Sequence, residues 1–166
     1  SGSEAFRWTV SEGIVGLGDL DGGGFSSTAY ATHADGSVIV GIGVSSSGSE
    51  AFRWTEESGL VGLGDLDGGS FSSQARGVSA DGSVVVGTSE GGQGLEAFRW
   101  TLSEGIIALS ELDPGCLCSP SDGWAVSGDG MVLVGGTRSM PGEAFRWDVM
   151  AGVMGLGGAP SSALAA

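Results

Sequence analysis

The feature that most restricts the fold of this sequence is a unit of about 46 residues that occurs four times. The pentapeptide Glu-Ala-Phe-Arg-Trp begins at residues 4, 50, 96 and 143, so successive copies are separated by 46, 46 and 47 residues. A repeat of this length indicates one supersecondary element per unit, whose apolar face is buried by its neighbours. The sequence therefore predicts one repeat domain over residues 1–166, with units beginning near 4, 50, 96 and 143 and the last unit incomplete.

Each unit contains four strand signals. The run Ser-Val-Val-Val-Gly at 83–87, matched at 37–41 and 131–135, is apolar and β-branched, which predicts a strand buried on both faces. An Asp-Gly pair precedes each run, beginning at residues 35, 81 and 129. Such a pair predicts a tight hairpin turn in which both residues take positive φ. The segment before the turn should therefore pair antiparallel with the Val-rich strand.

Two further strands complete the unit. We label the four strands A (Ala-Arg-Gly-Val-Ser-Ala), B (the Val-rich run), C (Glu-Ala-Phe-Arg-Trp-Thr) and D (Leu-Val-Gly-Leu-Gly-Asp-Leu). A four-stranded antiparallel meander in every repeat predicts an all-β fold made of β-propeller blades. The chain supplies strands C and D and then three complete units. A closed propeller needs more blades than this, so we expect an open structure, or one completed by missing sequence or another chain.

Aromatic residues recur on strand C. Alternation along a strand places Phe and Trp on one face and Arg on the other. Blades stack face to face, so large rings are expected to fill the gap between neighbours. The alternative is one aromatic ligand pocket per repeat. The residues predicted to pack in this way are Phe6, Trp8, Phe52, Trp54, Phe98, Trp100, Phe145 and Trp147.

The arginines of strand C are expected to lie inside the stack and to need acceptors, because an unpaired buried charge is costly. These residues are Arg7, Arg53, Arg99 and Arg146. We predict structural ion pairs, as opposed to binding of a substrate anion. The acidic residues proposed as partners are Asp19, Asp65 and Glu111 near strand D and Glu4, Glu50, Glu96 and Glu143 at the start of strand C.

Paired carboxylates precede glycine in the connection from strand D to strand A. They suggest a Ca²⁺ site, although Ca²⁺ takes six to eight oxygens and one pair would need carbonyls and water as well. The alternative is a turn-forming role. The fourth copy has Gly158 and Pro160 at these positions. The candidate ligands are Asp19, Asp21, Asp65, Asp67, Glu111 and Asp113. No other cofactor is expected.

Charge and composition exclude several functions. The net charge of -14 repels phosphate backbones and anionic membranes, so nucleic acid is not an expected partner. No apolar run is long enough to span a bilayer, and the N-terminus carries no signal-peptide pattern. The spacing of Cys116 and Cys118 disfavours a disulfide, and we interpret them as small loop residues. The single His33 sits beside a hairpin turn, away from any nucleophile-base arrangement.

The order Ala-Phe-x-Trp, then Gly-x-Val-x-Leu-Gly-Asp-Leu, then Val-Ser-x-Asp-Gly-Ser-Val-Val-Val-Gly resembles the bacterial probable extracellular HAF-repeat family over almost the whole chain. The resemblance implies an exported, propeller-like protein without an activity to carry over. Glutamate stands here where that family has histidine.

We therefore expect a noncatalytic structural or adhesive repeat protein, outside the cell or on its surface, whose blades carry variable loops. Its partners would be other copies of itself, joined through open edges into oligomers or filaments, with glycan as a further candidate. The alternative is a fragment of a propeller enzyme that acts on glycans.

Overall fold

A computed structural model describes residues 2–113, 120–138 and 142–157. The predicted all-β class is confirmed, since the described residues form fourteen strands and one four-residue helix. The first unit contains β1 (Phe6–Thr9) and β2 (Gly13–Gly16). The second contains β3 (Gly22–Thr32), β4 (Val38–Ser45), β5 (Ser49–Thr55) and β6 (Gly59–Gly62).

The third unit contains β7 (Gly68–Val78), β8 (Val84–Gly91), β9 (Gly94–Thr101) and β10 (Gly105–Ala108), followed by α1 (Leu109–Leu112). The fourth contains β11 (Ser121–Val126), β12 (Val132–Thr137), β13 (Ala144–Asp148) and β14 (Gly152–Gly155). Consecutive strands within each unit pair antiparallel, as the sequence predicts. A single parallel pairing, Ser49 with Ser72, links the second and third sheets.

Strands A and D differ in length from the prediction. Strand D ends early, at Gly16, Gly62, Ala108 and Gly155. The Leu-Gly-Asp-Leu residues that follow it in the first two units are irregular, and Leu109–Leu112 in the third unit is helical. Strand A begins early in the second and third units, at Gly22 and Gly68, and shifts register where Ser27 and Ser73 pair. Glycine carries positive φ at the start of both strands, which lets the chain reverse between the two sheets.

The Asp-Gly turns are tight but longer than predicted. In the second unit the connection runs from residue 33 to residue 37, and the Gly36 amide donates to the His33 carbonyl at 2.9 Å. Asp-Gly therefore occupies the last two positions of a four-residue turn, with Gly36 at φ 76°. The third unit repeats this geometry with Gly82 and Ser79.

Three apolar clusters form the core, and each lies between successive units. The first cluster joins Ala5 and Leu17 to Phe52, and the second joins Val40 to Phe98. The third joins Val86 to Phe145. The units are thus stacked in sequence: the second and third units each share one cluster with the unit before and one with the unit after, and the first and fourth units share one cluster each.

The Val-rich strand is buried on both faces where a unit lies on each side. Val84, Val85 and Val86 are all buried. The prediction is wrong for the fourth copy, because Val134 is 38% exposed while its neighbour Leu133 is buried. No described unit follows the fourth, so only one face of this strand is covered.

Candidate functional site

The repeated motif on strand C builds the contact between units. Phe52, Phe98 and Phe145 are 0%, 0% and 1% exposed, and each packs against the unit that precedes it. Trp54 and Trp147 are also buried. Trp100 is half-buried and packs against the second cluster.

A glycine on strand B accommodates each buried phenyl ring. Gly41 pairs with Phe52 and Gly87 with Phe98 across the sheet. A Cβ built on either glycine would come within 2.9 Å of the ring and 2.0 Å of a backbone carbonyl oxygen. Real Cβ atoms do not approach other atoms this closely, so glycine at this position is required first by the strand A carbonyl and also by the ring that lies over it.

The first copy of the motif does not pack as predicted. Phe6 and Trp8 are 58% and 61% exposed, because their face of β1 points away from the second unit and no described unit precedes it. Ile14 on β2 lies beside them and is 71% exposed. We call Phe6, Trp8 and Ile14 the leading face.

The opposite end of the stack is also apolar. Val134 is 38% exposed, Leu156 is 53% exposed, and Val132 and Ala144 are half-buried. We call Val132, Val134, Ala144 and Leu156 the trailing face. Within residues 2–113, 120–138 and 142–157, the stack therefore ends in two different apolar surfaces that no described unit covers.

A buried serine bridges each pair of units. The Ser73 hydroxyl accepts a hydrogen bond from the Ala51 amide at 2.9 Å and donates to the Gly64 carbonyl at 2.5 Å. Ser27 makes the same two bonds, to Ala5 and Gly18. Each bridge satisfies backbone groups of one unit with a side chain of the next, so it fixes how the sheets stack.

The glutamate that opens strand C holds the loop after strand D. The Glu50 carboxylate accepts from the Gly64 amide at 3.0 Å, and Glu4 and Glu143 make the same bond to Gly18 and Gly157. A Cβ on Gly62 would lie 2.1 Å from the Glu50 carboxylate. We call this arrangement the glutamate clasp. The recurring Glu and Gly-Leu-Gly could have revealed it, but we assigned the glutamates to arginine.

In the third unit the residues at the two clasp glycine positions and the hydrogen-bond donor to the glutamate change together. Its counterparts of the two clasp glycines are Ala108 and Ser110, and Glu96 accepts instead from the Ser110 hydroxyl at 2.5 Å. The helix α1 begins directly after Ala108. The carboxylate thus keeps its function with a different donor, and Glu96 is 5% exposed.

The arginines have partners other than those predicted. Arg7 pairs with Glu12 at 2.7 Å, and Arg99 pairs with Glu104 at 2.7 Å. Both carboxylates lie in the turn between strands C and D, five residues along the chain. The prediction was wrong about the partner because Asp19 and Glu4 lie at the opposite end of the strands, where the loops after strand D begin.

Two arginines also contact the following unit. The Arg7 guanidinium lies 5.2 Å from the centroid of the Trp54 ring, a cation–π contact. The Nε of Arg53 donates to the Gly82 carbonyl at 3.3 Å. Arg146 pairs with Asp148 and remains 35% exposed, since no described unit follows it.

Two equivalent clefts lie between neighbouring units on the side of the Asp-Gly turns. The first has a volume of about 700 Å³ and is lined by Arg7, Asp35 and Arg53 among others. The second has a volume of about 650 Å³ and is lined by Arg53, Asp81 and Trp100 among others. Asp35 and Asp81 are engaged in their own turns, whereas Glu56, which also lines the first cleft, lies 3.8 Å from the Arg7 guanidinium of the preceding unit.

Hydrogen bonds hold these turn carboxylates ionised. The side chain and amide of Ser37, and then the His33 ring, lower the pKa of Asp35 to about 2. The side chains of Ser79 and Ser83 lower the pKa of Asp81 in the same way. A carboxylate with so low a pKa is a poor general acid, which favours a structural role for both residues.

The calcium candidates lie in the loops that follow strand D. Asp19 and Asp65 are half-buried, and Asp21 and Asp67 are exposed. Burial raises the pKa of Asp65, and a hydrogen bond from the Ser72 amide offsets only part of this rise. Within the described residues, no three His, Cys, Asp or Glu side chains converge as a metal site. Calcium binding therefore stays a prediction.

Glu111 and Asp113 belong to the third copy of the same loop. Glu111 lies in α1 and is exposed. The Asp113 carboxylate accepts from the Val153 amide at 2.7 Å, so it reaches the fourth unit. Cys116 and Cys118 lie outside the described residues, as do Pro114, Gly158 and Pro160.

The connections from strand B to strand C differ between units. In the second unit Ser45 and Gly48 close the turn with reciprocal backbone bonds, and in the third Gly91 pairs with Gly94. In the fourth, Arg138 forms two bonds to Asp122, at 2.7 and 2.8 Å. The loops therefore vary on sheets of constant geometry.

Solved structures similar to this chain include two β-propellers, both at low sequence identity. The chain matches no protein-family model and no curated protein. It is similar to TolB from Acinetobacter baumannii, with 17% identity and a TM-score of 0.63, over 95% of this chain and 38% of that one. It is also similar to the TolB-designated protein from Agrobacterium tumefaciens, with 14% identity and a TM-score of 0.65, over 93% of this chain and 55% of that one.

These likenesses define a class, an all-β protein with a β-propeller-like fold. The chain spans between about two fifths and somewhat over half the length of these neighbours. No helix in the described ranges has the length and hydrophobicity needed to cross a membrane.

Proposed function

We propose that this chain is a noncatalytic structural or adhesive repeat protein that works outside the cell or on its surface. The observation that carries the proposal is the use of the recurring residues. The rings of Phe52 and Phe98, the bridge of Ser73 and the clasp of Glu50 all contact other parts of the stack. What repeats in this sequence serves the scaffold, so recognition falls to the residues that do not repeat.

The variable surface consists of the connections from strand B to strand C. The linkers of the second and third units differ in sequence, but both strands they join keep the same register across the sheet. Loops on a rigid scaffold are where binding specificity is commonly placed. The net charge of -14 favours cationic or neutral ligands, among them basic protein surfaces and glycans.

The extracellular location rests on the resemblance to the HAF-repeat family. The open ends of the stack support a further part of the proposal, namely that missing sequence or another chain completes the blades. The described strands form a two-stranded sheet, an eight-stranded sheet that contains the second and third units, and a four-stranded sheet, and these leave strand edges that another segment can cover.

A linker exchange tests the display role. The exposed third-unit residues 92 and 93 are replaced by the second-unit residues 46 and 47, and both proteins are assayed on a glycan array and on immobilised basic proteins. We expect the melting temperature to stay within about 2 °C, since surface changes away from packing cost little, while the binding profile changes. An unchanged profile with intact folding would contradict display through these loops.

The alternative, part of a glycan-acting propeller enzyme, predicts two carboxylates about 5 to 9 Å apart in one cleft. In the clefts of the described chain, Asp35 and Asp81 are held by their own turns. Release of reducing sugar from any glycan on the array would favour this alternative and contradict the noncatalytic role.

A further inference from the structure

The leading face is a copy of a surface that is buried elsewhere in the same molecule. Phe6, Trp8 and Ile14 correspond to one residue of each kind in every later unit, at the same spacing. Those later sets belong to the three apolar clusters, where each packs on the unit before it. The sets are Phe52, Trp54 and Leu60, then Phe98, Trp100 and Ile106, then Phe145, Trp147 and Val153.

The trailing face is a copy of the surface that receives these rings. In the second unit the receiving residues are Val38, Val40, Ala51 and Leu63, and all four are buried in the cluster that contains Phe98. In the third unit they are Val84, Val86, Ala97 and Leu109, in the cluster that contains Phe145. The trailing-face residues Val132, Val134, Ala144 and Leu156 stand at the same positions of the fourth unit.

We propose that the leading face of one copy of this chain packs on the trailing face of another, so that copies associate head to tail. The occupant is a second copy because the molecule contains this contact in full at two internal interfaces, between the second and third and between the third and fourth units. Between the first and second units it is present in reduced form, since the first unit has no strand B to supply the receiving valines. A partner of unrelated sequence would have to reproduce that fit. The proposal deepens the scaffold role above, since it names the surface through which the scaffold extends.

An arginine supports the same register. Within the chain, Arg7 of the first unit lies over Trp54 of the second at 5.2 Å. Arg146 is its counterpart in the fourth unit and is 35% exposed. Head-to-tail packing places Arg146 of one copy over Trp8 of the next, where the cation–π contact offsets part of the cost of covering the guanidinium.

The contact is smaller than a standard interface. With 58% and 61% of their surfaces exposed, the Phe6 and Trp8 rings together offer about 200 to 300 Å². A standard interface buries about 800 Å² on each partner. The first unit also lacks the two inner strands that widen the interior contacts. Association should therefore be reversible and should depend on protein concentration.

The two faces differ, so the contact is heterologous. Such a contact either closes into a ring or continues into a filament, depending on the rotation between copies. It also makes a strong prediction for mixtures. A variant with a damaged leading face keeps an intact trailing face. A variant with a damaged trailing face keeps an intact leading face, so one molecule of each can still form the contact.

The experiment uses sedimentation velocity of the chain from about 10 μM to 1 mM, a range that covers dissociation constants of weak complexes. The variants are Trp8→Glu in the leading face and Val134→Glu in the trailing face. Leu102→Glu is the control, because Leu102 is 89% exposed in a turn of the third unit and belongs to neither face. Circular dichroism and melting verify that each variant folds.

We expect the unaltered chain and Leu102→Glu to associate, and each face variant alone to remain monomeric. Mixing the two face variants should give a species of two chains that grows no further. A monomeric unaltered chain at 1 mM would overturn the proposal. So would loss of association in Trp8→Glu alone with Val134→Glu unaffected, since that result indicates contact between two leading faces.

The outcome is separable from that of the proposed function. The linker-exchange assay is repeated with the monomeric Trp8→Glu variant, whose loops are intact. If this variant binds a ligand while the unaltered chain does not self-associate, the display role stands and only the proposed interface is wrong. If the unaltered chain self-associates but no ligand binds, the proposed interface stands and only the display role is wrong.

Discussion

The four copies of the phenylalanine provide an internal comparison that tests how the fold is stabilised. Phe98 is fully buried between the second and third units, and Phe6 is 58% exposed at the leading face. Both belong to the same five-residue motif and both pair across a glycine-containing turn with strand D. Replacing each by alanine removes the same atoms from two different environments.

The expected costs differ severalfold. For Phe98→Ala the lost transfer free energy and the cavity left under the ring together cost about 3 to 5 kcal/mol, as for buried phenylalanines in general. Gly87 cannot fill that cavity because it has no side chain. For Phe6→Ala less than half of the transfer term of about 1.5 to 3 kcal/mol applies and no closed cavity forms, so the cost is about 1 kcal/mol or less.

Guanidinium unfolding at low micromolar concentration measures both values, with tryptophan fluorescence and circular dichroism as probes. Low concentration keeps the chain monomeric, so Phe6 is not covered by another copy. The two probes must agree, because repeat arrays can unfold unit by unit. A cost for Phe6→Ala equal to that for Phe98→Ala would refute the assignment of Phe6 to an uncovered face.

Four further predictions concern polar groups. Ser73→Ala removes a buried bridge between units and should cost about 1 to 3 kcal/mol in chemical unfolding, whereas Ser73→Thr keeps the hydroxyl as a control. Burial raises the pKa of Asp122, but the hydrogen bonds from Arg138 and Thr88 lower it by more, so the pKa is depressed overall. The free energy of unfolding should therefore be lower for Arg138→Ala than for the unaltered chain at pH 7, and this difference should fade below about pH 4. Burial raises the pKa of Asp65, so the chain should gain stability relative to Asp65→Asn as the pH falls through that raised pKa. If the same loops bind Ca²⁺, millimolar Ca²⁺ should raise the melting temperature and a chelator should reverse the rise, whereas no change assigns the loops to turns.

Much of the fold could be read from local pattern. The Val-rich run, the Asp-Gly pair and the alternating Phe and Trp each indicate a strand or a turn without reference to distant residues. Their repetition at 46 residues then predicts similar four-stranded meanders, and the second, third and fourth units pair their strands in that way. The ends of strands A and D could not be predicted from the local pattern, because a bulge near Ser27 and the clasp of Glu50 depend on contacts with other segments.

The site was predicted less completely. The sequence indicated that the arginines need acceptors, but a long flexible side chain reaches carboxylates at either end of its strand. Arg7 pairs with Glu12 in the adjacent turn, and nothing in the linear pattern distinguished this from Asp19. The glutamates of the motif accept hydrogen bonds from backbone amides of the loop after strand D, as Glu50 does from Gly64, instead of pairing with arginine.

By itself the sequence determined the period, the number of strands in each unit and which side chains share a face of strand C, because these follow from local conformational preference and from alternation. Only the tertiary structure decided that the face with Phe and Trp turns toward the preceding unit. That direction depends on how one twisted sheet stacks on the next, which no single strand encodes. It buries Phe52, Phe98 and Phe145, and it leaves Phe6 and Trp8 at one end and Val134 and Leu156 at the other without a neighbour among the described units.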